Sequence, residues 1–461
     1  MINRLSYQLF FAIIVVVLIR VLSLQLYPLM DTTEARYGEM ARIMVETNNW
    51  ITPQFDYNVP FWGKPPMQTW VSAISGKALG ISEFSLRLPH LLSGVLTLAF
   101  VGYFAKVKRV SILLTMLTLV TTVGFYIASG AIMTDSLLTL SMTISMLGFY
   151  QAWENENRYF AYLGFVGIGL GLLIKGPIII VLVGLTVLPW IIVNEGLFSG
   201  IAKLWKRIPL ISGFAVSALI AVPWYLLAEQ TTPGFLDYFL IGEHWSRFTV
   251  SGWTGDLYGS AHDEVRGTIW LFWLYTAFPW SLLIIYMLVR PSKRRAAFKN
   301  KSDKRWHSFL LFWLVSPMAL FSFAGNILPM YVLPGVPALA LFIASVQKNY
   351  GRVEYVLSSI APLAVCLLII FGSASLKAKS DKSLLSNIDN SIPVYYLNKR
   401  SFSGRFYTKG QAQLWNNETH FGKYPYFMVV TNHQLKASVI EMEGCALQKK
   451  TSKRSLYLCL G

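Results

Sequence analysis

Charge is scarce in this chain: Asp, Glu, Lys and Arg make up 14% of its 461 residues, against 54% that are hydrophobic. With a positive mean hydropathy, this shortage excludes an ordinary soluble globular surface and points to a polytopic membrane protein. There is no internal repeat and no low-complexity segment, which argues against a solenoid and against the paired halves common in transporters. Cysteine is limited to Cys366, Cys445 and Cys459. Cys366 falls inside the last apolar run as a small core residue, and the other two lie in the tail, where an oxidising outer compartment would permit a bridge. No small-residue cleavage pattern follows the first apolar run, so that run reads as a retained transmembrane helix, not a signal peptide.

Long apolar runs are what the chain has in abundance. A helix needs about 20 apolar residues to cross the hydrocarbon layer, and such runs lie near 5–26, 85–105, 110–128, 134–152, 159–174, 176–194, 208–228, 267–290, 307–324, 328–347 and 353–375. They predict about eleven spans. The net charge of +17 is distributed by loop and does not form a nucleic-acid footprint. Arg4, Lys106, Lys108, Arg109, Arg158, Lys203, Lys206, Arg207, the basic stretch 290–305, Lys348 and Arg352 all fall on one side, the positive-inside pattern of cytoplasmic segments. The N-terminus is therefore expected inside, and the loops near 27–84, 128–134, 174–177, 228–266 and 325–330 outside, together with the tail. From about 376 the apolar runs stop and short strand-like pieces follow, so we expect a 1–375 transmembrane domain and a 376–461 outer domain of α/β or β-rich type. That tail carries 13 Lys/Arg against 5 Asp/Glu, which fits either anionic headgroups or a plain solvated surface.

The scarce charges gather in the outer loops. In "DTTEARYGEM" the apolar positions recur at helical spacing, which predicts an amphipathic surface helix. Asp31 and Glu34 read either as a capping box or as carboxylates facing a substrate pocket. Lys64, framed by aromatics in "FWGKPP", either snorkels or holds a lipid-linked phosphate. Thr134 and Asp135 of "MTDSLL" either cap a helix or add a second acid to the same outer space. Lys175 in "LLIKGP" is an interface anchor or another phosphate cation. In "IGEHWSRF", Glu243 and Arg247 are spaced for a helical ion pair, while His244 is a packed histidine, a metal ligand or a phosphate contact. Carboxylates and cations on a single face suit transfer of a sugar from a lipid phosphate, where cations hold the leaving phosphate and a carboxylate takes a hydroxyl proton.

Taken in order, "DTTEARYGEMARIM", "FWGKPPMQTW", "TDS", "KGP", "EHWSRF" and "NILPMYVLPGVPALAL" resemble the GT-C membrane glycosyltransferases of the protein O-mannosyltransferase and lipid A aminoarabinose transferase family, over roughly residues 1–350. The resemblance implies a GT-C fold with surface helices in the first outer loop, an undecaprenyl-phosphate sugar donor and an outer cavity at the periplasmic face of the bacterial inner membrane. It implies catalytic acids at Asp31, Glu34 and Asp135, donor-phosphate cations at Arg36, Lys64 and Lys175, and cavity positions at Tyr37, Glu243, His244 and Arg247. The acceptor it implies is lipid A or another glycolipid, with a protein hydroxyl as the alternative. Two positions depart from the family: Thr33 precedes Glu34 where an Asp-Glu pair is usual, and Gly63 replaces a glutamate that can join a histidine on a metal. No zinc site is therefore expected from position 63 and His244, and no cofactor. A transporter or flippase is the rival of another class; it would place its charges near mid-bilayer.

Overall fold

The computed structural model describes residues 4–259, 262–292, 301–347, 351–389, 391–415, 424–432 and 444–460. Residues 293–300 of the basic stretch and Lys348 lie outside the described residues.

Each expected apolar run holds helix. Helix α1 is Arg4–Leu26, α4 is Glu83–Val107, α8 is Arg158–Lys175, α9 is Ile178–Glu195 and α11 is Leu210–Thr231; with Pro329–Val346 and Arg352–Phe371 these seven are long and apolar enough to cross a membrane. Ile269–Thr276 and Trp280–Val289 form an eighth if counted together, bent by 111° around Pro279, where a ring without an N–H interrupts the helical ladder. The other runs fall short of that measure for local reasons. Helices α5 (Ile112–Val120) and α6 (Val123–Ala128) are parted at Thr121 and Thr122. Helix α7, Thr134–Asn155, is rich in Ser and Thr yet almost wholly buried. It can be so because its hydroxyls bond to neighbouring backbone: Ser141 Oγ donates to Gly167 O (2.8 Å) and Ser145 Oγ to Gly164 O (3.0 Å) on α8. Small residues and hydroxyls hold membrane helices together where apolar burial alone gives no preference over lipid.

The first outer loop folds into α2 (Thr33–Thr47), the short hairpin β1–β2 (Gln54–Asp56 and Val59–Pro60) and α3 (Met67–Leu79). The sequence predicts α2 as a helix on the membrane surface, but both its faces are covered, one by α3 and the other by the short helix Phe402–Tyr407 of the tail. Its polar face stays satisfied because Arg42 forms ion pairs with Glu39 (2.7 Å) and Glu46. In the second large outer loop a π-helical turn, Tyr238–Ser246, carries Glu243 and His244. Such turns are rare and mark places where side chains are re-aimed.

The tail forms a mixed five-stranded sheet, in the order β4-β3-β5-β7-β6, from Val394–Tyr396 (β3), Gln413–Leu414 (β4), Tyr426–Asn432 (β5), Cys445–Lys450 (β6) and Arg454–Leu460 (β7). Parallel β3 and β4 are joined through Phe402–Tyr407, and β5, β7 and β6 run antiparallel. Cys445 and Cys459 face each other in register across β6 and β7 and are joined by a disulfide.

Candidate active site

Five outer segments and the tail close around one cavity of about 770 Å³. Its walls are built from 32–64, 133–135, Lys175, 243–259, His262, 328–331 and 398–414. Segments far apart in sequence thus meet on one side of the helical bundle, as the loop pattern predicts.

The π-helical turn brings Glu243 to the centre of this wall. Its carboxylate takes Lys64 Nζ at 2.9 Å and Arg247 Nη1 at 3.0 Å, and Arg247 reaches Asp256 at 3.1 Å. Burial pushes the Glu243 carboxyl upward, but Lys64 and Arg247 outweigh that and hold it below the usual glutamate range. The expected helical pair of Glu243 and Arg247 is present, extended by a lysine 179 residues away in sequence. Asn326 steadies it by donating to the carbonyls of Arg247 (2.7 Å) and Val250 (2.8 Å).

A second ion pair lies on another wall. Lys175 Nζ meets Asp135 Oδ1 at 2.9 Å and sits 4.3 Å over the ring of Tyr331, with both charged groups buried. Asp135 Oδ2 has no donor among the described residues. The turn that presents Lys175 needs Gly176: its φ is +82°, and a Cβ there would come within 2.6 Å of Phe239 and 2.8 Å of His244. His244 is packed behind that turn, with Nδ1 2.8 Å from Phe239 O and Nε2 3.1 Å from Lys175 O. Burial lowers its pKa, so it acts as a neutral spacer supporting the lysine and is not among the cavity-lining residues.

Arg36 lines the cavity without a carboxylate partner among the described residues. Its Nη1 donates to Tyr258 O at 2.9 Å, its guanidinium lies over the rings of Tyr37 (5.2 Å) and Phe61 (5.8 Å), and its Nε is buried with no acceptor among the described residues. Tyr258 is the hub of this wall, since its hydroxyl donates to Pro60 O and accepts from Trp62 N while its ring packs on Phe61 and Phe55.

The first-loop carboxylates lie elsewhere. Glu34 is buried in a two-pronged pair with Arg87, whose Nε and Nη2 each reach it at 2.8 Å. Arg87 also donates to the carbonyls of Leu24, Tyr27 and Pro28, fixing the end of α1. Asp31 accepts from the backbone N (3.0 Å) and the hydroxyl of Ser403 in the tail. Burial raises its pKa, and the two bonds from Ser403 offset that only in part. Neither residue lines the cavity. Nor do they form the predicted capping box: Thr32 holds the N-cap position with no side-chain bond, because Arg87 and Ser403 have already taken both carboxylates.

Seven further residues that no sequence motif marks, Asp256, Tyr258, His262, Lys399, Arg400, Phe402 and Arg405, line the cavity. The polar run "GDLYGSAHDE" in the second outer loop was the available signal for the first three. Nothing local marks the tail residues, which reach the site only through tertiary packing. Among the described residues no three His, Cys, Asp or Glu side chains cluster in a way that could hold a metal ion. At position 63 a Cβ would lie 2.9 Å from Phe61 Cζ, so a glutamate would have to displace that ring.

A multi-pass membrane protein whose cavity is walled by surface loops, with seven lysines and arginines against three carboxylates, is built to handle an anionic substrate at the membrane face. Residues 5–239, half of the chain, match the family described as dolichyl-phosphate-mannose-protein mannosyltransferase. The chain belongs to this family of membrane glycosyltransferases, which take their sugar from a polyprenyl phosphate. It is 26% identical over 419 residues to an undecaprenyl phosphate-alpha-4-amino-4-deoxy-L-arabinose arabinosyl transferase of Enterobacter sp. (strain 638), covering 86% of this chain and 71% of the relative. A relative of the same description from Yersinia pestis (strain Pestoides F) is 27% identical over 326 residues, 68% of this chain and 54% of its own length. The match thus spans about half the length of the Yersinia relative. In fold, the chain superposes on the crystal structure of ArnT from Cupriavidus metallidurans bound to undecaprenyl phosphate with a TM-score of 0.78 at 16% identity, covering 98% of each chain. The apo form of that protein gives 0.77 over 99% and 98%.

Proposed function

We propose that this glycosyltransferase moves an amino sugar from undecaprenyl phosphate to a phosphate group of lipid A, at the periplasmic face of the bacterial inner membrane. The observation that carries this reading is the charge state of the cavity. Each of its three carboxylates, Asp135, Glu243 and Asp256, already has a cation partner, while Arg36 has no carboxylate partner among the described residues. A site with surplus cations, in which every carboxylate is paired with a cation, suits an acceptor oxygen that is already ionised, and a phosphate oxygen has no proton to remove.

In the reaction the acceptor oxygen attacks the anomeric carbon from the side opposite the donor phosphate, giving inversion. The new carbon–oxygen bond forms as the bond to the phosphate breaks, and the electron pair stays on the departing phosphate. Lys64 and Arg247, held in place by Glu243, meet that charge, with Lys175 reinforcing it. Asp135 presents Oδ2 to the ammonium of the sugar. In this scheme side-chain cations supply the charge compensation and the reaction proceeds in a chelator. Asp31 and Glu34 fix the framework around the site.

The placement of the cavity on the periplasmic side, with the N-terminus cytoplasmic and the sheet domain periplasmic, is supported by the basic loops 106–109 and 203–207 at the opposite ends of the helices. Mass spectrometry of lipid A from cells with the protein, without it, and with Lys64→Ala or Arg247→Ala tests the whole reading. A mass increment of one amino pentose that requires the protein and both cations is expected. Unchanged lipid A alongside newly glycosylated periplasmic proteins would transfer the acceptor role to a protein hydroxyl, and no change in either would reopen the transporter reading.

A further inference from the structure

The sheet domain does more than cover the cavity, because its segment 398–405 lines it with three cations. Phe402 sits at the centre of this wall. The guanidinium carbon of Arg405 lies 4.7 Å from its ring centroid, and that of Arg36, from the first outer loop, lies 6.0 Å from it. Two guanidiniums from different parts of the chain therefore flank one aromatic ring. Each has a buried Nε with no acceptor among the described residues, and the Arg405 side chain is only 8% exposed. A buried guanidinium donor without a partner costs free energy unless a ligand supplies the oxygen.

The surrounding charge reinforces the point. A single carboxylate, Asp56, serves both Arg400 and Arg405 (3.4 Å), while Arg405 Nη1 donates to Phe55 O at 3.0 Å. Lys399, exposed beside them, has no carboxylate partner among the described residues. The segment is held in position by Asp31, which grips Ser403 next to Phe402. This wall shares no ion-pair partner with the Lys64, Glu243 and Arg247 group, so the cavity contains two separate concentrations of positive charge.

We propose that Arg36, Phe402 and Arg405, with Lys399 and Arg400 at the rim, form a subsite for a sugar-linked phosphate monoester of the acceptor. It is distinct from the donor-phosphate seat at Lys64 and Arg247. Planar guanidiniums suit such a group because they present paired donors to its oxygens. The assignment deepens the reading of an anionic acceptor and rests on it.

Equilibrium binding to the full-length protein in detergent tests it with three probes: bisphosphorylated lipid A, glucosamine 1-phosphate and undecaprenyl phosphate. In Arg405→Gln and in the Lys399→Ala/Arg400→Ala double variant, the Kd for lipid A and for glucosamine 1-phosphate should rise about tenfold. The Kd for undecaprenyl phosphate should stay unchanged, and Lys64→Ala should give the opposite pattern. Unaltered acceptor-side affinity in both tail variants would overturn the subsite. So would a parallel loss for all three probes, which would reduce these residues to docking the sheet domain. If lipid A fails to bind wild-type protein while glucosamine 1-phosphate binds through Arg405, the subsite stands and the lipid A acceptor falls. If neither binds, the subsite itself is refuted.

Discussion

Asp31 and Glu34 in the first outer loop, and Asp135 and Glu243 around the cavity, are four acidic residues met by donors, yet their partners differ in kind. Glu34 faces Arg87, which is bonded on its remaining donors to three backbone carbonyls, and Asp31 faces the backbone and hydroxyl of Ser403. Those partners are framework and have no further bonding to offer. Asp135 and Glu243 face Lys175, Lys64 and Arg247, cations that line an open space. The comparison teaches that a carboxylate near an active site is read by what its partner touches next. An acid whose cation is saturated by backbone holds the fold, and an acid whose cation borders a cavity positions chemistry.

The largest effect should come from the framework side. Arg87→Ala leaves Glu34 buried without its counter-charge, and removing one member of a buried pair costs roughly 3–5 kcal/mol. Thermal unfolding in detergent should show a large drop in Tm or no recoverable folded protein. A variant that folds normally and loses only activity would break the comparison by moving Glu34 to the chemical side. Next in size are the cavity cations. Lys64→Ala and Arg247→Ala should each lower kcat/KM by about 10²–10³, the scale for removing a charge-stabilising donor from a transition state, with Tm little changed because both groups border the cavity. Equal losses of Tm and activity would erase the distinction between the two sets of ion pairs.

Within the cavity set, Glu243 gives a pH test. Lys64 and Arg247 hold its carboxyl below the ordinary value near 4.5. The pairing it provides is therefore complete above that ordinary value and is lost only as pH falls through the depressed one. Binding of undecaprenyl phosphate should not vary with Glu243 ionisation between pH 8 and about 5. A step in affinity within that range, abolished by Glu243→Gln, would show that the carboxylate titrates where the cations should prevent it.

Much of this site was legible in the sequence because its charges stand out against an apolar background. Lys64, Asp135, Lys175, Glu243 and Arg247 were each conspicuous in an outer loop, and all five line the cavity. Pairing was less legible. Arg87 is the third residue of the second apolar run and reads locally as a helix-end charge, so its hold on Glu34, 53 positions away, has no local signature. The cover over α2 was illegible for a related reason: a polar helical face looks the same in sequence whether water or another domain covers it. The contribution of Lys399, Arg400 and Arg405 was hidden most completely, since a basic tail has no pattern that distinguishes a solvated face from a cavity wall.

The smallest expected effect is also the sharpest test, because Asp31 is the residue on which the motif reading and the geometry disagree most. Its half-buried carboxyl packs against Ser403 and its pKa is raised above the ordinary 3.8, chiefly by desolvation. A raised carboxyl pKa means that the group favours the folded state most at low pH, and this contribution is lost as pH rises from 3.8 through the raised value. At pH 7 the ionised side chain is thus carried at some cost. Asn in its place keeps an oxygen for the Ser403 N–H and removes the buried charge. Asp31→Asn should leave Tm at pH 7 unchanged or slightly higher, within about 1 kcal/mol, should reduce the gain in stability on moving to pH 4, and should keep kcat/KM within about threefold. A general base removed at this position would instead lower the rate by about 10²–10⁴ with Tm intact. That outcome would put Asp31 with Asp135 and Glu243, and would require the Ser403 contact to open during the reaction.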